Sequence, residues 1–177
     1  KEVNVKVELE KLLNIEVVVG NDANNAALGE LWQGSGSGYD NLVFITIGTG
    51  VGGAIIVNNQ IIEGHTGAAG EIGHFRTLYG TFKCNCGCIG CLETIASATG
   101  IVRVAKKLLL SKEVNSSLRN IRNLNAKQVF QEAKKNDPIA KETIRIFGEN
   151  LGFVCANIGV IINPQAFIFG GGVSHAG

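Results

Sequence analysis

Between His74 and Cys91 the chain places one histidine and four of its five cysteines within eighteen positions. Zinc prefers four tetrahedral ligands drawn from thiolate and imidazole, and a Cys-x-Cys pair, a nearby third cysteine and a distal histidine supply such a set. A segment that brings these donors to one ion must fold back within a few residues, and Gly87 and Gly90 supply backbone angles that other residues reach only at a cost. Four thiols are one more than a three-cysteine, one-histidine site uses. Paired disulfides and unliganded thiols are the competing readings, but disulfides belong to oxidising compartments. The first residues are polar and mixed in charge, with no signal-like or membrane-spanning run, so a reduced cytoplasmic setting and a metal site are expected. Cys155, between Val154 and Ala156 in an apolar helical stretch, reads as a core thiol.

Carboxylates bracket this cluster: Glu71 stands three residues before the histidine and Glu93 two after the last cysteine. A metal in the loop would therefore set the geometry of a pocket with acidic walls. At 177 residues, 45% hydrophobic and 18% charged, the chain is expected to be globular. A net charge of +1 from scattered basic residues makes no case for a nucleic-acid surface. Arg103, Lys106 and Lys107 interleave with apolar positions and read as a solvated helix face.

Periodicity predicts a helix over residues 5–13 and a short β-branched strand over 15–19. An alanine-rich helix follows over 23–32, then a polar turn over 35–40. Apolar runs at 42–47, 54–57 and 60–62, separated by a glycine segment and an Asn-Asn turn, predict a sheet meander. Residues 93–110 read as one helix, 111–125 as irregular and 126–135 as a further helix. Asp137-Pro138 supplies an N-cap and a proline at the first helical position, which introduces a long helix to about 162. Residues 166–169 read as a buried strand running into Gly170-Gly171-Gly172.

Two junctions carry further chemistry. Asn21-Asp22 lies where residues 15–19 give way to a helix, and ligands of open α/β sheets bind at the carboxyl ends of strands. The same residue types are the preferred helix caps. In Gly48-Thr49-Gly50-Val51-Gly52-Gly53, backbone amides and a hydroxyl can approach phosphate oxygens closely. The segment is neither a Walker loop nor a dinucleotide fingerprint, and hairpin glycines explain it about as well.

In order, the chain carries Asn-Asp-Ala-Asn-Asn-Ala-Ala-Leu-Gly-Glu, Gly-Thr-Gly-Val-Gly-Gly, Gly-Glu-Ile-Gly-His, Cys-x-Cys-Gly-x-x-Gly-Cys-Leu-Glu and Asn-Pro-x-x-x-Ile-Phe-Gly-Gly-Gly-Val-Ser. This succession resembles the ROK family of sugar kinases and sugar-responsive repressors, with bacterial ROK glucokinases the nearest in pattern. The resemblance implies an α/β, actin/hexokinase-like (ribonuclease H-like) ATPase fold with a zinc-binding loop. It implies ATP-dependent phosphorylation of a hexose hydroxyl, most simply glucose to glucose 6-phosphate, in a cytoplasmic homodimer without nucleic-acid or membrane partners. A repressor's sugar-sensing domain, a fructokinase or an N-acetylmannosamine kinase are the alternatives.

By the same resemblance Asp22 is the general base and Asn21, Asp22, Glu71, His74 and Glu93 contact the sugar. Structural zinc is held by His74, Cys84, Cys86 and Cys91; Cys88 falls at a variable position and is left out. Gly48, Thr49, Gly50, Gly52 and Gly53 match the family's second phosphate segment, Gly170, Gly171 and Gly172 its adenosine turn, and Mg²⁺ would bridge the phosphates. The chain departs from the family in having no Asp-x-Gly-Gly-Thr motif. Residues 1–177 are therefore expected to be mainly the C-terminal lobe, without the N-terminal phosphate-binding lobe or the extreme C-terminus, and to have little or no kinase activity alone. Strand edges and apolar surface left uncovered would favour dimerisation.

Overall fold

Alternation along one strand fixes the architecture. In the computed structural model, which describes residues 3–78 and 80–176, β1 (Leu42–Ile47) lies inside a four-stranded sheet of order β3-β2-β1-β4. β2 (Val51–Val57) pairs antiparallel with β1, and β3 (Gln60–Ile61) antiparallel with β2. β4 (Ala166–Gly170) returns parallel to β1. Because successive side chains point to opposite faces, Leu42 and Phe44 join Ala54, Ile56 and Ile168 beneath Ala27 of α2 (Asp22–Gln33). Val43, Ile45 and Ile47 enter the larger core formed with the helices of the other face. The predicted meander and the return strand are both present.

That second face is covered by α3 (Glu93–Ala96), α4 (Ala98–Ser111), α5 (Ala126–Lys134) and α6 (Pro138–Ile162). Residues 93–110 were expected as one helix and are two. Ser97 breaks them: its hydroxyl donates to the Glu93 carbonyl at 2.6 Å and accepts the Gly100 N–H at 2.9 Å, so it caps α4. The run at 15–19 forms no strand. A strand needs a pairing partner, and none lies beside it among the described residues; Val18 is 85% exposed. The preceding α1 (Val5–Leu13) buries no side chain.

α6 is long and apolar enough to cross a membrane by composition, yet Ile139, Ala140, Thr143, Asn150, Val154 and Ile158 are buried, and the helix packs against α3, α4 and α5. It is a core helix. Asp137 caps it as the sequence predicts, accepting from the Ile139 and Ala140 amides at 3.0 and 2.9 Å. The same carboxylate accepts from Ser116 Oγ at 3.0 Å and from the Ser117 amide at 2.7 Å, which ties the 111–125 connection to the helix. Burial pushes this carboxyl upward, but hydrogen bonds from Ala140, Ser117 and Ser116 outweigh it and hold Asp137 below the ordinary aspartate value. Its stabilisation is therefore fully present above the unfolded value of about 3.9 and is lost as pH falls through the lower folded value. Urea unfolding of Asp137→Ala at pH 7 is expected to show a loss of about 2–3 kcal/mol, a cap plus orphaned buried donors. The gap from wild type should narrow as the pH is taken below about 4.

Candidate functional site

Residues 76–78 and 80–91 bring the chain back on itself, with bridges between Arg76 and Cys91 and between Lys83 and Ile89. The Thr77 amide donates to the Gly90 carbonyl, Gly90 to Phe82, Leu92 to Phe75 and Cys84 to Cys88, all at 2.7–3.0 Å. Gly87 and Gly90 sit at φ +90° and +85°, the left-handed backbone the sequence led one to expect there. This backbone gathers the donor atoms of His74, Cys84, Cys86 and Cys91 to within 4.8 Å of one another and leaves Cys88 outside the group.

The spacing suits a tetrahedron. Bonds of about 2.3 Å at tetrahedral angles put ligand atoms about 3.7 Å apart. Cys86 and Cys91 Sγ are 3.6 Å apart, and His74 Nδ1 lies 3.7 Å from Cys84 Sγ. All five cysteines are free thiols. Burial, with a hydrogen bond to Glu93, pushes the Cys84 thiol up to about 12, and burial also raises Cys91. A backbone hydrogen bond at Cys88, with Cys84 beside it, brings Cys86 down to about 7. The donor types and distances fit a zinc ion. Zinc would be needed to hold the two buried sulfurs as thiolates.

The β1–β2 hairpin packs against the segments that carry Glu71, His74 and Glu93. The Glu71–His74 segment includes a 3-10 turn (Ile72–His74) packed on β2, with Gly73 so close that an added Cβ would strike the Val51 carbonyl oxygen. An added Cβ at Gly50 would lie 3.0 Å from Glu93 Oε2, and one at Gly52 would lie 3.4 Å from Ala23 Cβ at the start of α2. Gly53 faces Ile72 and the Gly70 carbonyl. Gly52 and Gly53, expected in a phosphate loop, are thus inside β2. Lacking a side chain, Gly53 lets the 3-10 turn pack against the sheet, and Gly52 leaves room for Thr46 Cγ2, which would lie 2.9 Å from an added Cβ. Replacing Gly73 by alanine is expected to displace Glu71 and His74 together, lowering the melting temperature and weakening metal retention, readable by calorimetry and metal analysis.

Asn21, not Asp22, caps α2. Its Oδ1 accepts the Ala23 and Asn24 amides at 2.9 and 3.1 Å, so its Nδ2 keeps its hydrogens for another partner. Asp22 is the first helical residue, exposed, with Oδ1 accepting the Ala23 amide at 2.8 Å. Neither residue lines the two cavities described next.

A polar cavity of about 350 Å³ runs between the metal loop and the hairpin turn, bounded by Cys84, Asn85, Glu93, Arg103, Thr49 and Gly50. Glu93 Oε1 accepts from Cys84 Sγ at 3.0 Å. On the other side of the turn a cavity of about 870 Å³ is lined by Gly48, Thr49 and Gly172, and by Lys127, Gln131 and Lys134 of α5. Gly48 spends its amide on the Gly50 carbonyl. The amides of Thr49 and Gly50 and the Thr49 hydroxyl donate to nothing among the described residues. Gly170 ends β4, and Gly171 bends the chain at φ +88° against the Ile47 carbonyl. The α5 wall was not foreseen from sequence: its only local signal is the 127, 131, 134 spacing, which marks one face of any helix.

The glucokinase of Halalkalibacterium halodurans is 46% identical over 177 residues, covering 98% of this chain and 54% of that protein. The xylose repressor of Caldicellulosiruptor bescii is 33% identical, covering 96% of this chain and 43% of that protein. Among solved structures, a ROK family glucokinase from Streptomyces griseus in complex with glucose and AMPPNP superposes with a TM-score of 0.82 at 35% identity, over 98% of this chain and 57% of that one. The chain thus spans about half the length of these relatives. The sequence pattern of the ROK family matches residues 1–177 from end to end, and the chain belongs to that family.

Proposed function

We propose that these residues form the sugar-binding wall and one nucleotide-binding wall of an ATP-dependent hexose kinase, with glucose as the preferred acceptor. The observation that carries this reading is Thr49, which lines both cavities. One cavity is bordered by the metal loop and Glu93, the other by a glycine turn and lysines, and the hairpin turn between them presents free amide and hydroxyl donors. A phosphoryl donor in the second cavity would meet an acceptor hydroxyl at Thr49, at the mouth of the first, so that Asn21, Asp22 and Glu71, which line neither cavity, would reach the sugar from outside it. The glucokinase relatives agree with that assignment.

In this reading the Asp22 carboxylate takes the proton of the attacking hexose hydroxyl as its oxygen bonds the terminal phosphorus and ADP departs. Asn21 Nδ2 donates to a neighbouring hydroxyl, while Glu71 and Glu93 accept from others. The amides of Thr49 and Gly50 hold phosphate oxygens, where Mg²⁺ would supply charge neutralisation for the transferred group. His74, Cys84, Cys86 and Cys91 would hold zinc, which would fix the loop rather than take part in the chemistry. A coordinated Cys84 has no hydrogen to give Glu93, which leaves that carboxylate free for a polyol. His74 faces Cys84 through Nδ1, so Nε2 is the nitrogen left for a sugar hydroxyl.

The exposed α1 and residues 15–19 are the surface on which an N-terminal phosphate-binding lobe would pack, the working unit being a cytoplasmic homodimer. The repressor relatives favour a second reading, a sugar sensor built on the same pocket. A coupled ADP-release assay of the full-length polypeptide, with ATP, magnesium and a panel of hexoses, separates the two. Hexose-dependent turnover, highest with glucose, supports the kinase; tight sugar binding without turnover supports the sensor.

A further inference from the structure

We propose that α5 selects the nucleotide: Lys127 and Lys134 bind its phosphates and Gln131 reads its base. This rests on the kinase reading, which puts the nucleotide in the larger cavity, and extends it to residues with no assigned role.

The three side chains lie at i, i+4 and i+7, one face of a nine-residue helix, and all three line the same cavity as Thr49 and Gly172. No aspartate or glutamate lines that cavity. Lys135, one residue further on, pairs with Glu132 at 2.7 Å, whereas neither Lys127 nor Lys134 is in an ion pair among the described residues. Gln131 likewise has no hydrogen-bond partner there. Two uncompensated ammonium groups beside free loop amides suit a polyanion, and the free carboxamide between them offers both a donor and an acceptor. A carboxamide can bond adenine through two hydrogen bonds, accepting from its N6 amino group and donating to the adjacent ring nitrogen, and at the same edge guanine presents its O6 acceptor in place of the amino donor. A purine nucleoside polyphosphate, adenine preferred, is the ligand that uses all three.

The helix is also held still, so its cations are placed in advance. Asn125 and Gln128 form a reciprocal capping box, Val129 is fully buried, and Phe130 meets the Phe147 ring edge-on at 6.0 Å. Ser117 Oγ donates to Glu132 at 2.6 Å, fastening the far end. The three lining residues are themselves exposed and outside this scaffold, so their replacement leaves the packing intact.

Calorimetric titration of the full-length polypeptide with ATP, GTP and adenosine tests the assignment. Lys127→Gln/Lys134→Gln should weaken ATP at least about ten-fold and change adenosine by less than about two-fold. Gln131→Ala should weaken adenosine and ATP alike by about three- to ten-fold and erase most of the preference over GTP. Unchanged melting curves establish that the variants are folded. If the wild type binds ATP and the lysine double variant binds it equally well, the α5 assignment is overturned while the kinase reading stands. A folded wild type that binds hexose and no nucleotide overturns both.

Discussion

Asp22→Asn in the full-length polypeptide is expected to cut hexose phosphorylation by about 10²–10⁴-fold, the range that a positioned general base supplies. Hexose affinity should change by no more than about three-fold, because asparagine keeps the shape and one acceptor oxygen of the side chain. The fold should be unaffected. Asn21 carries the cap of α2, and Asp22 accepts only the amide of its immediate neighbour. A stability loss comparable to that of a lost cap would instead assign Asp22 a structural part. Steady-state kinetics with thermal unfolding on the same preparation separates these outcomes: a fall in turnover at constant KM and melting temperature marks the base. Turnover equal to wild type would remove it.

The second large effect is expected on losing a metal ligand. Cys86→Ser should weaken zinc at least about 100-fold, the upper end of what even outer hydrogen-bond partners of metal ligands cost. The loop closes on few other supports. Its backbone bonds run within residues 75–92, and Cys86 itself is exposed. Glu93 begins α3 and contacts Cys84 directly, and Glu71 precedes the 3-10 turn that carries His74. Both carboxylates that the proposal assigns to the sugar should therefore lose their placement together. The kinetic signature is a hexose KM raised by about ten-fold or more with a smaller change in kcat, since the phosphate contacts proposed for Thr49 and Gly50 come from the hairpin turn and not from the loop. Metal analysis alongside kinetics checks it. The opposite split, kcat lost at unchanged KM, would move the metal into the transfer step.

The metal loop was legible in the sequence because its chemistry is local. Four donors within eighteen positions, closed by Gly87 and Gly90, have few other arrangements, and the structure leaves out the same thiol that the family resemblance left out. Asp137-Pro138 announced α6 for a similar reason, as capping is decided within four residues. What failed was information carried by partners. The 15–19 run has strand composition and nothing to pair with among the described residues. The break at Ser97 hides in a continuous helical pattern, because the hydroxyl that ends one helix also starts the next. Gly52 and Gly53 read from sequence as phosphate-loop residues; the structure puts them inside β2, where Gly53 admits Ile72 from a distant point in the chain. The α5 wall of the larger cavity needed the whole topology, since nothing near Lys127 in sequence announces Thr49 as a neighbour.

In the proposed kinase a metal-held loop preorganises the sugar wall. This is tested most directly by titrating glucose into one preparation of the full-length polypeptide as purified, after chelation, and after zinc is restored. The account predicts that chelation weakens glucose by about ten-fold or more and that one equivalent of zinc restores it. A stripped protein that stays folded and binds glucose as tightly as before would contradict it.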